Sequence, residues 1–227
     1  MKKKIYIVLP IYNEEKIIEK VVNNLIRNTS KFNPMILLIN DGSKDNTKHK
    51  IKKYENKRNI VIINKDNEGH GQTVLHGYNY ALRKKCDYIF QLDSDDQFFT
   101  EDIEKILRLK SNEDLIIGKR LERKDQLIRL IITQIMKFII FIRHGVIIKD
   151  SNSPFRLIKS EFLLRNISKI NNSMIPNVLI SIIAAKNKNL KFIDVRHKER
   201  QTGEVSIKKW KLFVFCLKSF KEIIQFK

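Results

Sequence analysis

Ile36-Leu37-Leu38-Ile39-Asn40-Asp41-Gly42-Ser43 sets an unbroken apolar run against an abrupt polar turn. A strand with one face in water would alternate, so a continuous run of this length fits a strand buried on both faces, as in a parallel sheet. The same punctuation recurs along the first half of the chain. Residues 5–9, 60–63, 88–92 and 115–117 are further short apolar runs, and polar segments of helical length separate them at 14–27, 45–54, 72–84 and 101–110. Strands alternating with helices form a βαβ succession, which predicts an α/β fold with an open sheet. After Arg120 the pattern changes to long apolar helices, and no repeat or low-complexity linker marks a second domain.

With 227 residues and 42% hydrophobic content, the chain can bury a core and reads as one globular domain. Cys86 and Cys216 lack the dense spacing of secreted scaffolds, which favours a reducing cytoplasm. Lys2, Lys3 and Lys4 precede a short apolar run, but Pro10 and Asn13-Glu14-Glu15 follow at once and no small-residue cleavage site appears, so export is not expected.

The formal charge of +20 is uneven: residues 1–100 hold 18 Lys/Arg against 12 Asp/Glu, and residues 101–227 hold 27 against 13. Phospholipid headgroups, phosphorylated substrates and nucleic acid would all satisfy that field, and a lysine-rich background composition would account for part of it. Residues 127–142 are strongly apolar but place Arg129, Thr133 and Lys137 at four-residue spacing, one polar stripe on a helix. The segment is too short and charged for a membrane span; a buried core helix and a helix half sunk in a lipid interface both remain open. The tail, 208–227, combines Trp210, Phe213, Leu217, Phe220 and Ile224 with six lysines, the composition of a basic amphipathic helix on an anionic membrane surface or of a packed terminal helix with solvated lysines. The expected boundaries are 1–205 for the α/β domain and 206–227 for this helix.

Ligands of open parallel sheets bind beyond the carboxyl ends of the strands. Here those positions are polar and acidic: Pro10, Tyr12, Asn13 and Glu14; Asn40 to Ser43; and Asp93-Ser94-Asp95-Asp96-Gln97. Asp93 and Asp95, at i and i+2 on extended backbone, point to one side and can grip a divalent cation, Mg²⁺ or Mn²⁺, that holds a diphosphate leaving group. Gln97 offers a neutral oxygen nearby, and Asp96 is an alternative ligand. An isolated D-x-D is weak evidence, and an acidic turn capping the helix near Glu101 is the structural alternative. Residues 67–72, Asn-Glu-Gly-His-Gly-Gln, lack dinucleotide and Walker spacing, which leaves a tight strand-to-helix turn with helix amides near the crevice. The five histidines show no zinc spacing, so surface or packing roles are expected for them.

Taken together and in order, Val8 to Glu15, Asn40 to Asp45, Asn67 to Gly77 and Leu92 to Gln97 resemble the family-2 glycosyltransferases, and Gly118-Lys119-Arg120, Asp150 to Arg156 and Arg200 to Ser206 extend the resemblance over nearly the whole chain. The flavour is that of dolichyl- or polyprenyl-phosphate sugar transferases, although Ser153-Pro154-Phe155-Arg156 stands where those tend to read G-F-R. The resemblance implies a GT-A fold, a single Rossmann-like nucleotide-binding domain. It also implies roles: Pro10, Tyr12 and Glu14 bordering the nucleoside, Asp41 on the base, Asp93, Asp95 and Gln97 on metal and diphosphate with Ser94 beside them, and Arg120 and Arg200 on phosphates.

The expected chemistry is an inverting displacement at the anomeric carbon of a nucleotide-diphosphate sugar. A lipid phosphate can attack unaided, whereas a glycan hydroxyl needs a base, for which Asp150 is the candidate, as base or orienting group. The expected setting is peripheral, at the inner face of the cytoplasmic membrane. Rivals are transfer to a glycan hydroxyl in cell-envelope polysaccharide, a sugar-nucleotide-binding protein without catalysis, and a basic nucleic-acid-binding protein. The last leaves an acidic crevice unexplained where a polyanion would dock.

Overall fold

The computed structural model describes residues 3–109, 112–121, 127–199 and 209–227. Its strands are β1 (Ile5–Ile11), β2 (Met35–Asp41), β3 (Ile60–Lys65), β4 (Tyr88–Gln91), β5 (Leu115–Arg120), β6 (Arg156–Lys159) and β7 (Leu190–Val195). They form one sheet in the order β3-β2-β1-β4-β6-β5-β7. Among the described residues only β6 runs against its neighbours, pairing antiparallel with β4 and β5.

Burial on both faces explains the unbroken apolar runs. In β1 every residue is buried. Tyr6 and Val8 join the apolar cluster on one side of the sheet, while Ile7, Leu9 and Ile11 join the other, the period of two that a strand imposes. Helices α1 (Ile18–Thr29), α2 (Thr47–Lys52) and α4 (Thr100–Arg108) close the second cluster. The first is closed by α3 (His70–Arg83), α6 (Ser160–Ile170) and α7 (Pro176–Lys186). Gly77 is what lets α3 lie close on the sheet, since a Cβ there would stand 2.4 Å from Val8 Cγ1 and 2.6 Å from Ile39 Cδ1. Helix α7 is buried all round from Pro176 to Ala184, as its uniformly apolar sequence requires. The remaining helices, α5 (Leu127–His144) and α8 (Lys209–Gln225), pack on each other, contributing Ile140 and Ile223 to the first cluster.

Two features depart from expectation, and a third decides between readings left open. Strands β6 and β7 carry no apolar run longer than two residues, because β6 begins and ends in charge and β7 is a half-buried edge strand interrupted by Lys191 and Asp194. Helix α1 starts at Ile18 rather than 14, because the Glu14 and Glu15 amides donate instead to Thr47 Oγ1 and Asp45 Oδ2. Helix α5 is not a buried core helix: Ile131, Ile135, Phe138, Phe141 and Ile142 are exposed.

Candidate active site

The loops after β1 and β2 are laced together at the carboxyl edge of the sheet. Asn13 N–H donates to Ser43 Oγ at 3.0 Å and Asn13 Oδ1 accepts from Lys44 N–H at 2.8 Å, with Asn13 itself in the left-handed region. Pro10 and Glu14 are buried and Tyr12 is half-buried along this edge. Asp41 lies at the end of β2, 3% exposed, and both its oxygens are engaged. Oδ1 accepts from Lys65 Nζ at 2.5 Å and Glu68 N–H at 3.0 Å, and Oδ2 from Gly69 N–H at 3.0 Å. Burial pushes the Asp41 carboxyl up, but the Lys65 ammonium, the Glu68 amide and the Thr73 hydroxyl together hold it below the ordinary carboxylate value. The expected base contact therefore belongs to a carboxylate that already braces the turn into α3. Gly42, at φ +65°, lies against that turn so closely that a Cβ would come 2.8 Å from Asn67 N.

Residues 67–69 are the tight turn expected. Gly69 has φ +88°, a value that glycine adopts without strain, and α3 begins at His70 with no side-chain cap. The first-turn amides of this helix favour an anion at its N-terminus. His70 Nε2 stands 3.7 Å from Asp93 Oδ1, beyond hydrogen-bonding range yet at the edge of the crevice. Sequence reasoning gave this histidine a surface or packing role; the only signal available was its place in the turn opposite the D-x-D.

Asp93 and Asp95 are half-buried and flank the buried Ser94, but the extended backbone expected beneath them ends with β4 at Gln91, and residues 94–96 bend. Asp93 Oδ1 is buried with no hydrogen-bond partner among the described residues. Such an oxygen calls for a positive partner. Among the described residues no three His, Cys, Asp or Glu side chains converge on a complete cation site. Asp93 and Asp95 would supply only two carboxylates, the donor type that Mg²⁺ and Mn²⁺ accept, and any remaining ligands would have to come from phosphate oxygens and water. Asp96, left-handed at φ +56°, pairs instead with Lys20 at 2.8 Å and Lys198 at 3.6 Å. Gln97 donates from Nε2 to the Lys198 carbonyl at 3.2 Å. The acidic turn does not cap α4, whose N-cap Phe99 has no side-chain cap bond.

On the far side of β4, the reversed strand β6 brings residues 150–155 to the crevice, since Arg156 pairs with Gln91 of β4 and Ile117 of β5. Asp150 and Arg120 form a buried fork: Arg120 Nε donates to Asp150 Oδ2 at 2.9 Å and Nη2 to Oδ1 at 2.8 Å. These two residues, expected to act separately on an acceptor and on phosphate, are thus held by each other. Arg156 was not singled out by its own chemistry, yet it is wholly buried and binds the carbonyls of Ser151, Ser153 and Asn177. Burial pulls its guanidinium down to about 10, against the opposing pull of Tyr78, Asp150 and Asp93, so it stays charged at neutral pH. Arg200 and residues 201–208, Lys208 included, lie outside the described residues, as do the side chains of Arg129 and Trp210.

The sequence profile of the family described as Glycosyl transferase family 2 matches residues 6–170. The UDP-N-acetylglucosamine–dolichyl-phosphate N-acetylglucosaminyltransferase of Methanococcus voltae is 30% identical over 175 residues, 68% of each chain. The undecaprenyl-phosphate 4-deoxy-4-formamido-L-arabinose transferase of Photorhabdus laumondii is 26% identical over 210 residues, 89% of this chain and 62% of that one. Among solved structures, S. aureus TarS 1-349 with UDP-GlcNAc superposes with a TM-score of 0.64 at 18% identity, over 97% of this chain and 66% of that one. Glucosyl-3-phosphoglycerate synthase from Mycobacterium tuberculosis, with Mn²⁺ and UDP-glucose, gives 0.68 at 12% identity, over 99% and 80%. The sheet and its flanking helices are the GT-A arrangement.

Proposed function

The chain belongs to glycosyl transferase family 2, and from that premise we propose that it moves a sugar from a nucleoside diphosphate to a polyprenyl phosphate or related membrane-associated acceptor, inverting the anomeric carbon. The observation that carries this reading is the Asp93 and Asp95 pair, with its orphaned carboxylate oxygen, set near His70 at the N-terminus of α3, which has no side-chain cap. A divalent cation bound there would neutralise charge on the departing diphosphate. The protein's own part is to hold that diphosphate between the two carboxylates and the α3 amides, with the nucleoside along Pro10, Tyr12, Glu14 and Asp41.

The acceptor oxygen forms the new bond to the anomeric carbon as the bond to the diphosphate breaks, and both electrons of that bond leave with the nucleotide. An anionic phosphate needs no base for this step. The Arg120–Asp150 fork favours such an acceptor, because Asp150 already holds the Arg120 guanidinium with both of its oxygens. Transfer to a glycan hydroxyl is the reading that a catalytic role for Asp150 as base would support. No helix among the described residues is long and apolar enough to cross a membrane, and the attachment we propose is peripheral.

Incubation with UDP-, GDP- and dTDP-sugars and Mg²⁺ or Mn²⁺, followed by separation of lipid and water phases, tests donor and acceptor together. Nucleotide release with label entering the lipid phase only when a polyprenyl phosphate is present is the expected result. Label confined to a water-soluble glycan would replace the lipid acceptor with the hydroxyl one.

A further inference from the structure

Helix α5 is amphipathic the wrong way round for a protein in water. Ile131, Ile135, Phe138 and Ile142 stand at i, i+4, i+7 and i+11, which places them on one stripe, and that stripe is outermost: Phe138 is 66% and Ile142 67% exposed. Phe141 flanks it, and Ile147 just beyond the helix is 79% exposed. The half-buried Thr133 and Lys137 lie instead towards the side of the buried Ile140 and His144. A contiguous apolar face of this kind marks an interaction surface.

We infer that the outer face of α5 docks on an anionic lipid surface and so seats the acceptor end of the crevice against the bilayer, an inference that rests on the membrane-associated acceptor proposed above. Charge selects the occupant. Residues 127–149 contain no Asp or Glu. Helix α8 is locked to α5 by Arg143 Nε donating to the Ile224 carbonyl at 2.7 Å and by His144 Nε2 on the Ile223 carbonyl at 2.9 Å. It adds the exposed Leu217 and Ile224 beside the exposed Lys218 and Lys221. Its one acidic side chain, Glu222, accepts from Met174 N–H. Apolar side chains edged by cations and without carboxylates match headgroups and the acyl boundary below them.

Position supplies the link to the reaction. Ser151 Oγ lies 3.8 Å from Met136 Sδ, so the inner side of α5 touches the loop that carries Asp150. The outward stripe is one helix diameter away, about 10 Å. A lipid phosphate drawn from a surface on that stripe would enter the crevice at the Arg120–Asp150 fork. The sequence left both this helix and the tail open to a lipid interface; here α5 supplies insertion and α8 supplies lysines.

Flotation of the full chain with vesicles of phosphatidylcholine, alone or mixed with phosphatidylglycerol, at low and high salt tests this. The protein should float with the anionic vesicles and keep a salt-resistant fraction. Phe138→Ser with Ile142→Ser should cut partitioning at least about tenfold and abolish that fraction, while donor binding by calorimetry stays unchanged. Leu164→Ser, which removes an equally exposed side chain on α6, should float like the parent. Three results would overturn the inference: a parent chain that ignores anionic vesicles, an α5 variant that floats undiminished, or a dimer in light scattering that the α5 variant dissociates without any vesicle binding. A chain that floats through α5 but binds no nucleotide sugar would uphold the docking face and count against glycosyl transfer.

Discussion

On the side of the crevice proposed for the donor, the polar groups of the β1 and β2 loops find their partners within the chain and Asp93 Oδ1 is the exception; on the side proposed for the acceptor, large apolar groups are left in solvent. The ends of β1 and β2 are cross-bonded through Asn13, Ser43, Asp41 and the amides of residues 68 and 69, and the core beneath them is closed on both faces. From β5 onward the chain is strongly basic and leaves α5 with its apolar stripe in solvent. A fold minimises exposed apolar surface where it can, so the contrast teaches that the second half is shaped for a partner outside the chain. It also separates residues whose loss harms the fold from residues whose loss harms only the reaction.

The largest expected effect lies on the donor side. Asp95→Asn should lower kcat by about 10²- to 10³-fold, the usual scale for removing one electrostatic contact to developing charge. The melting temperature should hold, because the asparagine oxygen can still accept from Gln97 N–H, the bond that Asp95 Oδ1 makes at 3.2 Å. Parallel loss of activity and melting temperature would make the D-x-D a structural turn and erase the contrast.

Asp150→Asn comes next and sharpens the boundary between the two sides. Removing one partner of a buried ion pair costs about 3–5 kcal/mol, because the other charge is left behind. Arg120 and Asp150 have side chains only 13% and 5% exposed, so chemical denaturation should register most of that cost. Replacing both by leucine should recover stability but not transfer. Recovery of transfer as well would show that the fork merely holds the loop.

These two sites were unequally legible. The D-x-D stood out as a candidate because its proposed function needs only two carboxylates close together in sequence, and the structure sets them half-buried on either side of the buried Ser94, in a bend after β4 rather than on extended backbone. The Arg120–Asp150 fork spans thirty positions and depends on β6 entering the sheet in reverse, which no apolar periodicity in Arg156-Leu157-Ile158-Lys159 announces. The same holds for Arg156, whose partners are backbone carbonyls and leave no trace in side-chain spacing. In α5 the stripe of Thr133 and Lys137 was visible in the sequence, but which side faced inward depended on packing against α7 and α8.

The smallest effect concerns Asp41, where structure and donor binding meet in one carboxylate. Its two oxygens accept from Lys65 and from the amides of Glu68 and Gly69, so Asp41→Asn should cost about 1–3 kcal/mol at neutral pH. The sign with pH follows from its lowered folded-state value. The unfolded carboxyl protonates near the usual 3.9, so the charged form's stabilisation is fully present above that value. It drains away as pH falls towards the lower folded value. The stability gap between parent and variant should therefore close in acid, as followed by urea denaturation at a series of pH values. A gap that persists there would assign the cost to hydrogen-bond geometry rather than charge. In the same variant KM for the nucleotide sugar should rise more than kcat falls, if Asp41 itself contacts the nucleoside as proposed, away from the anomeric carbon. Collapse of kcat with KM unchanged would place Asp41 with the reacting groups, and the donor side would then no longer divide into a bracing part and a chemical one.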